Sequence, residues 1–236
     1  MKKLFLLLSA ALLITTYTAA RPRTLWMVGD GVMAHYTDSA GPCGWVQAME
    51  EYWTKKTKVI NDAKLGFSVR AFMDNDGIKR IEKAPNRAIM FVQFGTNDLK
   101  EYNINDYSSL DAFNRRLMEI IDLGFKNKVN VVLCTPLAQP YYHNGKLIDR
   151  LGAYAEAIRR VGTYKHVAVV DLEKYTREWL ASMTEDEAAK YYVTFDVTKG
   201  EYQLNAAGAA KVASMAKQAI LDVDSKKLKK TIKKDK

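Results

Sequence analysis

Two polar loops, each directly after an apolar run, contain the side chains best placed for chemistry. The first loop, "GDG", holds Asp30 and Gly31, and the second, "GTND", holds Thr96, Asn97 and Asp98. An apolar run that ends in a glycine-containing loop is where many α/β proteins place a nucleophile or bind a phosphate. Gly31 has no side chain, so this position can supply neither a nucleophile nor a base.

The first loop also fits G-x-G-x-x-A, a pattern in which glycines let a dinucleotide pyrophosphate approach a helix. Here Asp30 would place a carboxylate beside the phosphates. No acidic residue ends the second strand at the expected distance of about 20 residues, since Asp62 comes about 30 residues on. We therefore expect no nucleotide cofactor. The His, Cys and carboxylate residues show no metal-ligand spacing, so we also expect no metal.

Short apolar runs alternate with segments of helical period, as in βαβ units around a parallel sheet. The predicted strands are "TLWMV", "KVIN", "AIMFVQF", "VNVVLC" and "HVAVVDL". The predicted helices are "GWVQAMEEYW", "SLDAFNRRLMEIIDLGF", "LIDRLGAYAEAIRRVG" and "NAAGAAKVASMAKQAILDV". Ligands of such sheets bind beyond the carboxyl ends of the strands, so the loops that follow the strands are expected on one rim.

The first twenty residues have the pattern of a secretory signal. Lys2 and Lys3 precede an apolar run, and small residues stand at Thr18 and Ala20, where we expect cleavage. No cysteine near that site could take a lipid, and no later run approaches the ~20 apolar residues that cross a bilayer. We expect a secreted or periplasmic protein without a membrane span.

With 236 residues, 48% of them hydrophobic, the chain should form a single domain over 21–224, between the signal and a lysine-rich tail at 225–236. The formal charge is +9, but outside those two segments basic and acidic residues nearly balance. The tail is typical of a solvated terminus. Its functional alternative is adhesion to an anionic polymer or membrane surface, whereas nucleic acid is not expected as a partner of an exported protein.

Several blocks in order along the chain resemble the SGNH, or GDSL-like, hydrolases, and most closely their rhamnogalacturonan acetylesterase branch. They are "GDGVMA", "GWVQ", "NDAKLGFSVRAF", "FGTND", Thr135-Pro136 and "LNAAGA". The resemblance implies a three-layer α/β/α sandwich with a central parallel five-stranded sheet, and hydrolysis of acetyl esters on pectic polysaccharide. It also implies that a serine attacks, a histidine takes its proton, an aspartate orients the histidine, and serine amide, glycine amide and asparagine hold the oxyanion.

The resemblance transfers these roles only in part. Gly66 matches the oxyanion glycine and Asn97 the oxyanion asparagine, but the nucleophile position falls on Gly31. One alignment of "DVTK" matches Asp196 to the triad aspartate and puts Lys199 at the histidine. An alignment anchored on "LNAAG" puts Gln203 there instead, and neither residue is a base that accepts a serine proton at neutral pH.

Other residues near these blocks have two interpretations each. Asp30 and Asn97 fit the rim of the site or a turn, and Thr96 and Asp98 fit the rim. Ser68 and Arg70 fit the rim too, or a helix cap and a solvated charge. Trp45 is either a core-packing residue or a platform for a sugar. His35 is either a surface residue or a substitute base. Lys199 is either a solvated lysine or a contact for an anion.

Three functions follow from these observations. The first is a catalytically impaired protein that keeps a cleft for acetylated or acidic polysaccharide. The second is an active carbohydrate O-acetylesterase with substituted catalytic residues. The third is a non-enzymatic partner-binding protein on the inherited fold. Cys43 and Cys134 would permit a disulfide in an oxidising compartment, although a chain of this size does not need one to fold.

Overall fold

The computed structural model describes residues 23–104, 109–196 and 201–234. The predicted signal and Lys199 lie outside these ranges. Within them the strands, in chain order, are β1 Arg23–Gly29, β2 Thr57–Asn61, β3 Ile89–Gln93, β4 Asn130–Cys134, β5 Tyr142–His143, β6 Lys146–Leu147, β7 Ala168–Val170, β8 Tyr192–Asp196 and β9 Glu201–Leu204. The helices are α1 Trp45–Ala48, α2 Val69–Phe72, α3 Ile78–Glu82, α4 Thr96–Ile104, α5 Leu110–Lys126, α6 Gly152–Lys165, α7 Leu172–Ala181, α8 Glu185–Ala189, α9 Ala206–Asp222 and α10 Lys226–Lys229.

The central sheet has five parallel strands in the order β2-β1-β3-β4-β7. These are the five predicted strands, and each lies within about a residue of its apolar run except β7, which keeps only three residues. Buried parallel strands are apolar on both faces, and for that reason their sequences form continuous apolar runs. The predicted α/β class and parallel sheet are confirmed.

Side chains of alternate strand residues point to opposite faces and build two apolar layers. Leu25 and Met27 of β1 pack with α1, α7 and α9, whereas Trp26 and Val28 pack with α2, α3, α5 and α6. Helices therefore cover both faces of the sheet. The three-layer α/β/α sandwich is confirmed.

The helix predictions succeeded where the apolar period is long. Helices α5 and α9 match them to within a residue, but α6 begins at Gly152 because the Asp149 carboxylate accepts the backbone N–H groups of Leu151 and Gly152 in a turn. The predicted helix "GWVQAMEEYW" is wrong beyond Ala48, since α1 ends there and a 3₁₀ turn follows. The sequence prediction also missed the hairpins β5–β6 and β8–β9. It missed six further helices, which are α2, α3, α4, α7, α8 and α10.

The lysine-rich tail packs against the body over the residues that the structure describes. Leu228 and Ile232 are 2% and 4% exposed, and Ile232 forms a β-bridge with Trp53. Thr231 accepts the Thr54 N–H through its carbonyl, and Lys233 donates its N–H to the Tyr52 carbonyl. The expectation of a solvated terminus is wrong for this segment, because its two apolar residues are buried in the core, Leu228 from α10 and Ile232 from the β-bridge.

Cys43 and Cys134 are both free thiols, so the permitted disulfide does not form. Both pack into the core layer that contains Leu25 and Met27. Burial raises the pKa of each thiol, most strongly for Cys134. No helix among the described residues is long and apolar enough to cross a membrane.

Candidate functional site

A cleft of about 380 Å³ opens at the carboxyl edge of the sheet, beyond β1 and β3. The structure brings together six of the predicted site residues in its wall: Asp30, Gly31, Gly66, Thr96, Asn97 and Gln203. Parallel strands end at a common edge, so loops that are far apart in sequence meet here. The cleft lies where the sequence predicts the site.

Asp30 is buried at the edge of this cleft, with 2% of its surface exposed. Its Oδ1 accepts the Val32 N–H at 3.2 Å, while Oδ2 has no hydrogen-bond partner among the described residues. Burial raises the pKa of Asp30 to about 6, although the hydrogen bonds and the positive charge of Lys100 oppose the rise. A carboxylate with one unsatisfied oxygen at a cleft can accept a hydrogen bond from a ligand.

Gly31 lines the cleft in a tight turn, and its φ is not in the left-handed region. A Cβ built at Gly31 would lie 2.7 Å from Leu65 Cδ1 and 3.0 Å from the Tyr36 hydroxyl oxygen. The Tyr36 hydroxyl donates a hydrogen bond to the Gly31 carbonyl at 2.8 Å. Backbone geometry thus allows a side chain at Gly31, but Leu65 and Tyr36 close over the space it would occupy.

Gly66 and Asn97 line the same cleft as Gly31. Gly66 has a φ of +82°, which favours glycine, and a Cβ there would meet no atom within 4 Å. The Asn97 side chain donates one hydrogen bond through Nδ2 to the Phe67 carbonyl at 2.9 Å, and this bond fixes its orientation. The amide has a second N–H, so Asn97 retains a donor for a ligand oxygen.

Three predicted rim residues lie behind the cleft wall rather than in it. Asp98 is fully buried and accepts the N–H groups of Val69 at 3.0 Å and Gly95 at 2.9 Å. Ser68 is also fully buried; it caps α2 and donates to Glu101 at 2.6 Å. Arg70 forms an ion pair with Glu101 at 3.1 Å. These contacts tie the loop before α2 to helix α4 and thereby hold Gly66 next to Asn97.

The hairpin β8–β9 forms another wall of the cleft. Asp196 is the last residue of β8, and Gln203 on β9 pairs with Thr194 and lines the cleft. Lys199 lies outside the described residues. Of the two residues aligned with the histidine, Gln203 is the one that the described structure places at the cleft, where its amide can donate or accept a hydrogen bond.

Sequence reasoning missed several cleft residues. Lys100, Glu201 and Tyr202 line the cleft together with Tyr36 and Leu65. Lys100 lies four residues after Thr96 on α4, and this spacing places both on one helix face. The cleft also contains Tyr36, Leu65 and Tyr202. They reach it because separate segments of the chain fold over one another, and no local sequence spacing predicts such contacts.

His35 and Trp45 lie outside the cleft wall. His35 is exposed, and Trp45 is fully buried in the core, where its Nε1 donates to Gln93 Oε1 at 2.9 Å. Trp45 is therefore a packing residue, as the first of its two interpretations held. Among residues 23–104, 109–196 and 201–234, no three His, Cys, Asp or Glu side chains lie together in a group that could hold a metal.

Comparison with known sequences identifies acetylesterases among the relatives. The probable rhamnogalacturonan acetylesterase YesY of Bacillus subtilis (strain 168) is 25% identical over 178 residues, which are 75% of this chain and 81% of that protein. The rhamnogalacturonan acetylesterase RhgT of the same strain is 24% identical over 178 residues, covering 74% and 75% of the two chains.

Solved structures agree on the fold. Protein YXIM of Bacillus subtilis superposes with a TM-score of 0.73 and 22% identity over 85% of this chain, which spans 56% of that protein. Axe2, an acetylxylan esterase from Geobacillus stearothermophilus, gives a TM-score of 0.64 and 14% identity, covering 84% and 93% of the two chains. The arrangement of sheet and helices is thus the fold that these two structures share with this chain.

The sequence model of the GDSL-like Lipase/Acylhydrolase family matches residues 27–211. This match covers most of the chain, from β1 to helix α9, and it contains Gly31, Gly66, Asn97 and the β8–β9 hairpin. This chain therefore belongs to the GDSL-like lipase/acylhydrolase family.

Proposed function

We propose that this chain is an exported, catalytically impaired relative of carbohydrate acetylesterases that uses its cleft to bind acetylated or acidic polysaccharide. One observation carries the proposal: Gly31 lines the same cleft as Gly66 and Asn97, the two residues matched to the family's oxyanion positions, and Leu65 and Tyr36 cover the space that a side chain at Gly31 would occupy. The binding side of the family site is retained and the reacting group is absent.

The size of the catalytic loss supports binding over turnover. Removing the nucleophile or the base of a serine triad costs about a million-fold in turnover, or roughly 8 kcal/mol, and losing both costs little more. An oxyanion hole and substrate binding alone retain ~10³-fold over water. Such a remnant would not sustain a dedicated esterase.

Charges in the cleft favour neutral acetylated sugars over acidic ones. The described wall contains two carboxyl groups, Asp30 and Glu201, and one ammonium, Lys100. A uronate would meet more negative than positive charge there. Lys199 would add a positive charge if it faces the cleft, and that contact is what an acidic ligand needs.

One observation favours the alternative of an active O-acetylesterase. Asp30 is a buried carboxyl at the cleft with a pKa of about 6, and a carboxylate of that kind can take a proton from an attacking water. In the third alternative, a partner-binding protein, the cleft would bind no glycan. The assays below separate these functions.

The test measures acetyl release and glycan binding with the full chain expressed for export. Acetyl release from 4-nitrophenyl acetate and from acetylated pectin is compared for wild type, Gly31→Ser, Gly31→Ala, and Gly31→Ser combined with Lys199→His or Gln203→His. Gly31→Ala is the matched control, because it adds the same Cβ without a hydroxyl. Leu65→Ala is added to each serine variant to clear the space next to Cβ.

We expect the wild type and Gly31→Ala to be inactive, and a serine–histidine variant to gain activity with Leu65→Ala. Calorimetry should detect tighter binding of acetylated than of de-acetylated pectin oligomers by the wild type, because the cleft is proposed to recognise the acetyl groups and not the uronate charges. Wild-type turnover of ~1 per second or more would overturn the proposal. If that turnover disappears in Asp30→Asn, the substituted-residue esterase is correct. Absence of binding to acetylated and de-acetylated pectin alike would favour the partner-binding protein.

A further inference from the structure

A large basic groove lies at the amino-terminal edge of the sheet, opposite the cleft. Its volume is about 1090 Å³, and it is lined by Arg23, Thr24, Asn86, Arg87, Phe125, Lys128, Val129, Asn130 and Lys227. Arg23 begins β1, Asn86 and Arg87 precede β3, and Lys128 precedes β4. Lys227 comes from α10, the helix of the lysine-rich tail.

Positive charge in this groove is uncompensated. The lining contains four cationic side chains and no carboxylate, and none of the four forms a salt bridge within the described residues. Burial, and after it the charges of Arg23 and Arg87, lower the pKa of Lys227. These cations thus repel one another in the folded chain, and a bound anion would relieve that repulsion.

Besides its cations, the groove has polar and aromatic groups that can contact a sugar polymer. Asn86 and Asn130 line it with amide groups that can bond to hydroxyls, and the Phe125 ring is 52% exposed beside them. The four cations come from four separate segments of the chain, so the groove presents several positive charges to a polymer that carries repeated carboxylates. A flat anionic membrane would contact a convex face, whereas these cations line a concavity.

We propose that this basic groove binds an acidic polysaccharide, through ion pairs between its four cations and uronate carboxylates. The site is separate from the cleft, because cleft and groove lie at opposite ends of strands β1 and β3. Lys227 lines the groove because the lysine-rich tail packs against the body. Helix α10 thereby places Lys227 near Arg23 and Arg87. The groove does not depend on the function proposed for the cleft.

The test uses polygalacturonate as the probe, dextran as the neutral polymer and phosphatidylglycerol vesicles as the anionic membrane. Binding is measured by calorimetry and cosedimentation at several salt concentrations. The test variant is Arg87→Asn with Lys128→Asn. Both positions have positive φ, at 64° and 59°, and asparagine tolerates that region well, so charge is removed without new backbone strain.

Two control variants separate the groove from charge in general. Lys146→Gln with Lys211→Gln removes the same number of positive charges from residues outside the groove lining. Arg87→Lys with Lys128→Arg keeps both positive charges in the groove and changes the shape of the cationic groups. Thermal unfolding of every variant checks that the fold is retained.

We expect the wild type to bind polygalacturonate and not dextran, with affinity that falls as salt rises. The asparagine pair should weaken binding about tenfold or more at low salt, while both controls stay within about twofold of wild type. If the Lys146–Lys211 control weakened polygalacturonate binding as much as the asparagine pair, the groove would not be the binding site. Absence of polygalacturonate binding would overturn the proposal, as would binding to the vesicles alone, which would point to a membrane surface.

Discussion

At Asp30 the cost of burial exceeds the stabilisation that its hydrogen bonds give to the charged form. The carboxyl has a pKa of about 6 in the folded protein, against an ordinary value of 3.8. Asp98 behaves similarly, with a pKa of about 7, although it accepts two backbone N–H groups. Each folded pKa is raised, so the folded state holds these protons more tightly than the unfolded chain does. Charging them as the pH rises toward neutrality therefore lowers the free energy of unfolding.

Asp30→Asn should stabilise the protein at pH 8, where the wild-type carboxylate is charged and buried. The gain should be on the order of 1–3 kcal/mol, and it should nearly disappear at about pH 3, where Asp30 is mostly protonated in both the folded and the unfolded state. Asparagine keeps the Oδ1 acceptor for the Val32 N–H. Urea unfolding at the two pH values measures the difference.

The matched control for this substitution is Asp38→Asn. Asp38 is an exposed aspartate whose Oδ1 accepts the Ala40 N–H in a turn, as Oδ1 of Asp30 accepts that of Val32. The control should change the unfolding midpoint much less at pH 8. A gain from Asp30→Asn that is the same at both pH values would show that charge burial at Asp30 is not its cause.

Among the elements, helix α10 behaves least as its composition suggests. Its four residues are three lysines and Leu228, which enters the core layer of α9 and β1. The capping residue Ser225 accepts the Leu228 N–H and starts the helix. The lysines point outward while one apolar side chain fixes the segment, as in any amphipathic surface helix.

Leu228→Ala should lower the free energy of unfolding by about 2–4 kcal/mol, because it removes a large side chain from a packed core. Lys229→Ala, at an exposed position of the same helix, is the control and should change stability by less than about 0.5 kcal/mol. Chemical unfolding with a spectroscopic probe measures both. Equal, small effects of the two substitutions would mean that the tail does not pack.

The elements that were predicted and those that were missed differ in how their signals arise. Strand β3 is buried on both faces, so its apolar run marks it in any context. Hairpin β8–β9 has mixed polar and aromatic residues, and its strands pair with each other rather than with the central sheet. In α10 the lysines dominated the composition, although the i, i+4 spacing of Leu228 and Ile232 was a visible signal. The sequence of helix α8 also contained a recognisable signal, which is the capping box formed by Thr184 and Glu187.

The same distinction holds in the candidate site. Gly31, Gly66 and Asn97 lie in blocks with fixed spacing after strands, so their meeting at one edge follows from the parallel sheet. The approach of Leu65 and Tyr36 to Gly31 depends on how two loops close over each other. Sequence spacing therefore predicts that Gly31 stands at the nucleophile position, but it does not predict the side chains that cover Gly31.

At the scale of the whole molecule, stability rests on the two apolar layers and on no covalent link between them. Cys134 lies within one layer and Cys43 packs at its edge, both as thiols. A sheet covered by helices on both faces buries enough apolar surface for a chain of this length to fold without a disulfide.

Dithiothreitol should therefore leave the urea unfolding midpoint unchanged. In denaturant, a thiol reagent should modify both cysteines of each chain. In the native protein Cys134 should react only as fast as the chain opens, because it is buried and its pKa is raised. The two cysteines would not be free thiols if the reductant lowered the unfolding midpoint. The same conclusion would follow if the denatured chain had no reactive thiols.

The positions of the first and last described segments have a consequence for orientation. Arg23 and Lys227 line the same groove, and Ile232 pairs with Trp53 shortly before β2, so residues near both ends of the described chain lie at the amino-terminal edge of the sheet. The cleft lies about 20 Å away, a distance set by the seven residues of β1. A tether attached before residue 23 or after residue 234 would hold the molecule with its groove toward the anchoring surface. The cleft would then face outward, open to polymers that arrive from the other side.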